Sequence, residues 1–359
     1  MKKNISILLF FISISALMQF QAYGRTLNGA GATFPSPLYK KLFSDYTKQT
    51  GITIEYNAVG SGEGYSLLKK NFSDFSATDM FLNNNLLTHL GKEVIHIPTC
   101  LGGVAITYNL PKNPEILLSP DVISDIFIGK INKWNHPKIQ SLNPAVTLPD
   151  LYIVTIHRSD ISGTTFIFTE FLTKTVKEWE EKIGIAPQIK WVKGVSAKSN
   201  HEVSKLVQQI SGSIGYQELL HALSNNISTA HIQNSKGNFI KPTLESISLS
   251  GNTDIPADTR ISLVNTDAPY GYPISSFTWL VIYKDLAESS LSLKEAKELK
   301  KLLWWITHDG QKKIEEMGYS PLHKKVIKLI EILMKSPSIK KNYPYNLKLK
   351  IVKFKRLTV

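Results

Sequence analysis

Cysteine is almost absent. Cys100 is the single thiol in 359 residues, so no internal disulfide can form whatever the redox compartment. Neither neighbour is a His or Lys that would lower its pKa, and a buried, inert thiol is expected. Its position far from the N-terminus also excludes an acylated cysteine directly behind a leader. Equally missing are a Gly-x-Ser-x-Gly elbow, a His/Asp cluster at metal-ligand spacing, an internal repeat and any low-complexity segment. The sequence therefore offers no ready-made hydrolase nucleophile, no metal and no other cofactor site.

Long apolar runs are lacking too. Ile5 to Leu17 is short for a bilayer span. With Met1-Lys2-Lys3 before it and Ala22-Tyr23-Gly24 behind it, the stretch reads as a secretory signal peptide over residues 1–24, cleaved near Gly24. A soluble chain of about 335 residues would remain in the periplasm, enough for two domains with sizeable cores. The formal charge of +13 is not a property of that body. Residues 324 to 359 carry eleven Lys or Arg against one acid, Glu331, and Lys2 and Lys3 add two more positive charges, which leaves residues 25–323 near neutral. The body thus has no basic surface for nucleic acid. The basic tail, about 336–359, has two readings: contact with an acidic membrane surface or partner, or a solvated extension with no role.

Strand-like and helix-like signals alternate along the body, which argues for α/β layers with mostly parallel sheets. Beyond Pro35, Leu38, Leu42, Phe43 and Tyr46 recur at helical spacing, and Gly51 is placed to end that helix. Ile52, Ile54 and Tyr56 alternate as in a half-buried strand, after which Gly60-Ser61-Gly62-Glu63-Gly64 turns the chain into a helix-like run. Ser73 to Asp79 reads as a short strand ending in an acid, and Val94 to Pro98 and Val104 to Tyr108 as two further strands. Ser119 and Pro120 suit the cap and first residue of a helix reaching Phe127. Residues 225–275, rich in Ser, Asn, Thr, Asp and Pro, read as loops and short strands. Phe277 to Tyr283 is an apolar strand. Leu293 to Ile306 is an amphipathic helix whose Trp304 and Trp305 are expected in core or groove packing.

The stretch Arg158-Ser159-Asp160-Ile161-Ser162-Gly163-Thr164-Thr165 lies between a strand-like run, Leu151 to Ile156, and a helix-like run from Phe166. A strand that stops and a helix that starts leave backbone N–H groups aimed at one spot, a natural seat for an anion. Arg158 adds a permanent cationic fork. Ala32-Thr33-Phe34-Pro35 and Gly60-Ser61-Gly62 share the design of a hydroxyl beside a helix start. Three such ends converging with Arg158 reach micromolar binding of a small tetrahedral oxyanion, about 8 kcal/mol. Taken singly, Thr33, Ser61 and Ser162 would do no more than cap their helices. Asp79 has two readings as well. It either caps the run near Phe81, or accepts a hydrogen from a protonated oxyanion, which phosphate supplies near neutral pH and sulfate does not.

These motifs resemble the PstS family, the periplasmic phosphate-binding proteins of bacterial phosphate ABC transporters. The likeness rests on Gly-Ala-Gly-Ala-Thr-Phe-Pro at 29–35, Val-Gly-Ser-Gly at 59–62, Asp-Phe-Ser-Ala-Thr-Asp at 74–79, Arg-Ser-Asp-Ile-Ser-Gly-Thr-Thr-Phe at 158–166 and Gly-Ser-Ile-Gly-Tyr at 212–216. Trp134 and the Tyr-Pro-Ile-Ser-Ser-Phe run from 272 also fit. The resemblance implies that Thr33, Phe34 (through its backbone N–H), Ser61, Asp79, Arg158, Ser162, Gly163 and Thr164 hold phosphate, with Asp160 bracing Arg158. It implies a two-domain periplasmic-binding-protein-like fold of type 2, with hinge-crossing strands. Residues 25–107 plus 277–359 would form the first domain and 108–276 the second. The expected partners are inorganic phosphate and the membrane permease subunits of the transporter, with the receptor itself a monomer and not an enzyme. Two departures stand out. Glu63 sits where the family has a small residue, near the mouth of the site, and Ala197-Lys198-Ser199-Asn200-His201-Glu202 lacks the glycines expected there. The alternatives are a secreted phosphate-site hydrolase with Ser162 or Thr33 as nucleophile, for which His157 is a structural residue and no base is supplied, and a surface adhesion protein acting through the basic tail.

Overall fold

The computed structural model of the chain describes residues 26–336 and 338. The expected signal peptide and nearly all of the basic tail lie outside the described residues. In chain order the first elements are β1 (Thr26–Gly31), α1 (Ser36–Thr50), β2 (Thr53–Ala58), α2 (Ser61–Lys69), β3 (Phe75–Thr78), α3 (Asn84–Leu90) and β4 (Val94–Tyr108). Next come β5 (Leu117–Leu118), α4 (Pro120–Phe127), α5 (Pro137–Leu142), β6 (Val154–Arg158), α6 (Gly163–Thr175) and α7 (Lys177–Lys182). The middle continues with β7 (Val195–Ala197), α8 (Asn200–Gln209), β8 (Ser213–Glu218), α9 (Leu219–Leu223), β9 (Ser228–Thr229), β10 (His231–Gln233), β11 (Phe239–Ile240) and α10 (Leu244–Ser250). Finally, β12 (Ser275–Tyr283) leads to α11 (Leu293–Thr307) and α12 (Lys324–Leu333).

One nine-stranded sheet in the order β2-β1-β3-β12-β4-β8-β6-β7, with β9 also on β4, organises the protein. Its two flanks are parallel, β2-β1-β3 on one side and β8-β6-β7 on the other. The centre is antiparallel: β12 pairs antiparallel with both β3 and β4, and β4 pairs antiparallel with β8 and β9. The expectation of mostly parallel sheet is thus corrected to a mixed one, because β12 returns from a distant part of the chain to run between the flanks. The fold is α/β, with helices on a mixed sheet.

The 15-residue β4 joins the flanks. Val94–Gly103 faces β12, and Val104–Tyr108 faces β8. Val94–Pro98 and Val104–Tyr108, expected as two strands, are therefore one. Gly102 does not break the strand. A Cβ there would fall 2.4 Å from the Phe34 ring, so its role is close approach of the backbone to that side chain.

Local chemistry sets the helix ends. Gly51, at φ 73°, closes α1 with its N–H on the carbonyl of Thr47. Ser119 caps α4 by accepting from the N–H of Val122. Two expectations need correction. Residues 225–275 contain a helix, α10, started by a reciprocal capping box between Thr243 and Ser246. Trp304 is not in the core but 47% exposed, stacked on His308 with ring centroids 3.9 Å apart. Ala296, Leu299, Leu302, Leu303 and Ile306 take the buried face of α11, and Trp304 falls off that stripe. Trp305 is partly buried, edge-on to Tyr46. Cys100 is fully buried, and burial raises its thiol pKa, as an inert thiol requires. Trp134 is also buried and donates from Nε1 to the carbonyl of Gly212 at 2.9 Å.

Candidate functional site

Four helix starts gather where the two flanks of the sheet meet. Thr33 and Phe34 occupy the turn from β1 into α1, Ser61 begins α2, Ser162 caps α6, and Asn200 begins α8. Gly60 turns into α2 at φ 97°, and neither it nor the Pro35 preceding α1 supplies a side-chain cap, so the first N–H groups of those helices are not claimed by a cap residue. Each such end carries about half a positive charge.

The contacts between these turns are close. A Cβ on Gly163 would fall 2.7 Å from Ser61 Oγ, 2.9 Å from Asp79 Cβ and 3.0 Å from Asp79 Oδ2. The N–H of Gly62 donates to the carbonyl of Ile161 at 3.0 Å. Ser162 Oγ accepts from the N–H of Thr165 at 3.2 Å, which leaves its own hydrogen free to point elsewhere. Its backbone N–H is turned away, onto the carbonyl of Pro187.

Arg158 stands at the end of β6 and is 1% exposed. Its Nε donates to Asp160 Oδ1 at 2.8 Å and its Nη2 to Asp160 Oδ2 at 2.6 Å, a two-pronged pair that fixes the guanidinium plane. Nη1, the remaining corner, is buried and makes no hydrogen bond among the described residues, and neither does Ser61 Oγ. Two buried donors without acceptors in one place carry a cost that a bound acceptor would relieve.

Asp79 follows β3 and is 2% exposed. It caps no helix: α3 begins five residues later, with Asn83 as its cap. Instead Thr278 Oγ1 on β12 donates to Asp79 Oδ1 at 2.7 Å. Burial pushes its pKa up to about 7, opposed by the Thr278 hydrogen bond and by the charge of Arg158.

The eight residues expected to hold ligand lie on the first three of these turns and the ends of β3 and β6; Ser61, Asp79 and Gly163 come together directly, and Thr33 and Thr164 through Asn200. Phe34 is buried and touches the rest through the chain; its carbonyl accepts from the Tyr319 hydroxyl at 2.8 Å. Glu63, the departure at the mouth, is exposed. His157 is buried against Trp191, with ring centroids 5.0 Å apart. Among the described residues no cluster of His, Cys, Asp or Glu could hold a metal ion, and no helix is long and apolar enough to cross a membrane.

Sequence reasoning missed Asn200, Glu218, His221, Thr278 and Tyr319. Asn200 is fully buried and links Thr33 to Thr164. Glu218 at the end of β8 accepts from the N–H groups of Leu220 and His221 and from the Tyr319 hydroxyl. Burial nonetheless raises its pKa to about 8. His221 donates from Nε2 to the carbonyl of Thr33, and burial holds its pKa down at about 4. Only Asn200 carried a local signal: Ser199-Asn200-His201-Glu202 is a Ser-x-x-Glu helix start, in which Ser199 accepts from the N–H of Glu202 and Glu202 accepts from the N–H of Lys198.

The chain matches the family description "PBP superfamily domain" over residues 21–309. A Xylella fastidiosa protein named "Phosphate-binding protein PstS" is 36% identical over 310 residues, covering 85% of this chain and 84% of the relative. A Pasteurella multocida protein of the same name is 33% identical over 341 residues, 94% of this chain and 96% of the relative. Among solved structures, the phosphate-binding protein from Stenotrophomonas maltophilia superposes with a TM-score of 0.67 at 18% identity, covering 86% of this chain and 93% of that one. A high affinity periplasmic phosphate-binding protein, PfluDING, gives 0.69 at 20% identity over 86% and 93%. At these identities the structural likeness speaks to the fold.

Proposed function

This chain belongs to the PstS family of phosphate-binding proteins, and from that premise we propose that it binds inorganic phosphate in the periplasm and hands it to the membrane permease of a phosphate ABC importer. It works as a receptor without chemistry of its own. One observation carries this reading: Ser61 Oγ and Arg158 Nη1 are both buried and without a hydrogen-bond partner, on turns that meet beside the Asp79 carboxyl.

Thr33, Ser61, Ser162 and Thr164 would donate hydroxyl hydrogens to the oxyanion. Phe34 and Gly163 would donate backbone N–H groups, and Arg158 its free corner. Asp79 would accept the hydrogen that phosphate retains near neutral pH, and sulfate, lacking one, would leave that acceptor unpaired. The two lobes, residues 25–107 with 277–359 and residues 108–276, would close on the ligand about β4, which changes partner from β12 to β8 between Gly103 and Val104. As one chain supplies both lobes, the site needs no second copy, and the receptor would act as a monomer.

Titration calorimetry on the chain from residue 25 tests this. One phosphate per chain with negligible sulfate binding is expected. Sulfate bound as tightly as phosphate would overturn the role given to Asp79, and no phosphate heat at all would overturn the function.

A further inference from the structure

The orientation of the Asn200 side chain is fixed by a group that can only donate. The backbone N–H of Glu218 lies 2.9 Å from Asn200 Oδ1, so the oxygen must face Glu218 and Nδ2 must face the other way. There it meets two hydroxyl oxygens from opposite flanks of the sheet, Thr33 Oγ1 at 3.0 Å and Thr164 Oγ1 at 3.2 Å. An amide nitrogen carries two hydrogens, one for each threonine. The backbone N–H of Asn200 also points at Thr33 Oγ1, at 3.3 Å. Both lone pairs of the Thr33 hydroxyl are thereby occupied by N–H donors, and its own hydrogen has to leave in a third direction. Thr164 receives one such donor, and Asn200 Oδ1, 3.5 Å away and already engaged by the Glu218 N–H, is a distant alternative for its hydrogen.

We propose that Asn200 is a positioning residue that sets hydrogen-bond polarity: by donating to Thr33 and Thr164 it compels both hydroxyls to act as donors towards the oxyanion. This rests on the phosphate reading given above. It goes beyond holding two walls together, because a spacer of any chemistry could do that. It also gives a task to a loop whose composition departs from the family pattern. Asn200 is held for that task. Ser199 caps α8, and the Asn200 side chain is 0% exposed, with both ends engaged.

Asn200→Asp tests polarity at nearly constant shape. An ionised carboxylate is an acceptor only, so the edge facing Thr33 and Thr164 would pull both hydroxyl hydrogens away from the ligand. Phosphate dissociation constants should be measured by calorimetry between pH 5 and pH 8.5 for the wild type, Asn200→Asp and Asn200→Ala. The ligand-free melting temperature of each variant should be followed alongside. Arg158, Asp79, Glu218, His221 and His201 are the charged or titratable groups of this neighbourhood. They are common to all three proteins, as is phosphate, so the ratio of each variant to wild type at a given pH divides out much of their titration. At pH 8 the Asp variant should bind about 100-fold or more weakly, and the Ala variant about 10-fold, since it removes the donor without reversing it. Towards pH 5 the Asp deficit should shrink, as a protonated carboxyl regains one donor, while the Ala ratio stays flat. Equal losses in both variants with the same pH profile would reduce Asn200 to a spacer and overturn the inference. So would an unchanged affinity in Asn200→Asp. A wild type that takes no phosphate would instead overturn the underlying function, and the inference with it.

Discussion

Gly163→Ala isolates the contact of the α6 start with Ser61 and Asp79 from everything else in the protein. The added Cβ would sit 2.7 Å from Ser61 Oγ, 2.9 Å from Asp79 Cβ and 3.0 Å from Asp79 Oδ2, where ordinary contact begins at 3.4 Å. Ser61 Oγ can rotate, although doing so withdraws a donor from the ligand. Asp79 Cβ cannot, since it is anchored to β3 and its carboxyl is tied to Thr278. The start of α6 must therefore stand off from β3 by about half an ångström, and overpacking of this kind costs roughly 1–3 kcal/mol. If the lobes close around phosphate, that cost falls on the bound state, and affinity drops about 5- to 150-fold. A ligand-free chain whose lobes stand apart would not meet the clash. Alanine is also the better helix former at the first position of α6, so its melting temperature should hold or rise. Calorimetry for phosphate and thermal melts without it provide the two readouts. Affinity within about twofold of wild type would refute the geometry, and a ligand-free melting temperature lowered in step with affinity would refute the closing motion.

Two further outcomes follow from the buried carboxyls and the arginine. Asp79 and Glu218 have pKa values raised to about 7 and about 8, so the folded chain holds their protons more tightly than the unfolded one, and ligand-free stability should be full below about pH 4 and fall as pH rises towards 8. At 1.36 kcal/mol per pH unit each contributes on the order of 4 kcal/mol; urea melts of Asp79→Asn should lose about half of the slope between pH 4 and 7, Glu218 supplying the rest, and an unchanged slope would count against the buried titration. Arg158→Lys cannot reproduce the fork to Asp160 together with the free corner, and phosphate affinity should fall by about 100-fold in calorimetry; a loss below about threefold would show that a point charge suffices.

Much of this was legible because it is local. The turns proposed to hold the anion are each written in a few consecutive residues: a hydroxyl, a glycine or proline, and the onset of helical spacing. Arg158 and Asp160, two residues apart, carry their pairing in the same stretch. The helix α10 was hidden by polar composition even though Thr243 and Ser246 mark its start, and Trp304 was assigned to the apolar face of α11 as a whole when its place on the helical wheel puts it outside the buried stripe. Asn200, Glu218 and Tyr319 are different. Asn200 reaches Thr33 across 167 positions, and Tyr319 reaches Phe34 across 285. No periodicity predicts which distant side chain will satisfy a buried hydroxyl or carbonyl, because that choice is made by packing once the sheet has assembled.

The charge balance at the site decides what kind of selectivity it can have. The Arg158 guanidinium is already paired with Asp160, and Asp79 stands beside it, so the neighbourhood offers an incoming anion little or no net positive charge. A site built on attraction alone would be improved by deleting Asp79. In the proposed site, attraction would come from neutral dipoles at the helix starts and from hydroxyls whose hydrogens are directed by their other partners: Thr33 and Thr164 by Asn200, Ser162 by the N–H of Thr165. Each of these recognises an acceptor, and none recognises a proton. Asp79 is the one group that can, and with Thr278 occupying Oδ1, its second oxygen, Oδ2, is the one near the start of α6. If these groups hold the ligand as proposed, one that satisfies the whole set must be acceptor-rich and keep one acidic hydrogen, and polarity rather than charge would separate phosphate from sulfate.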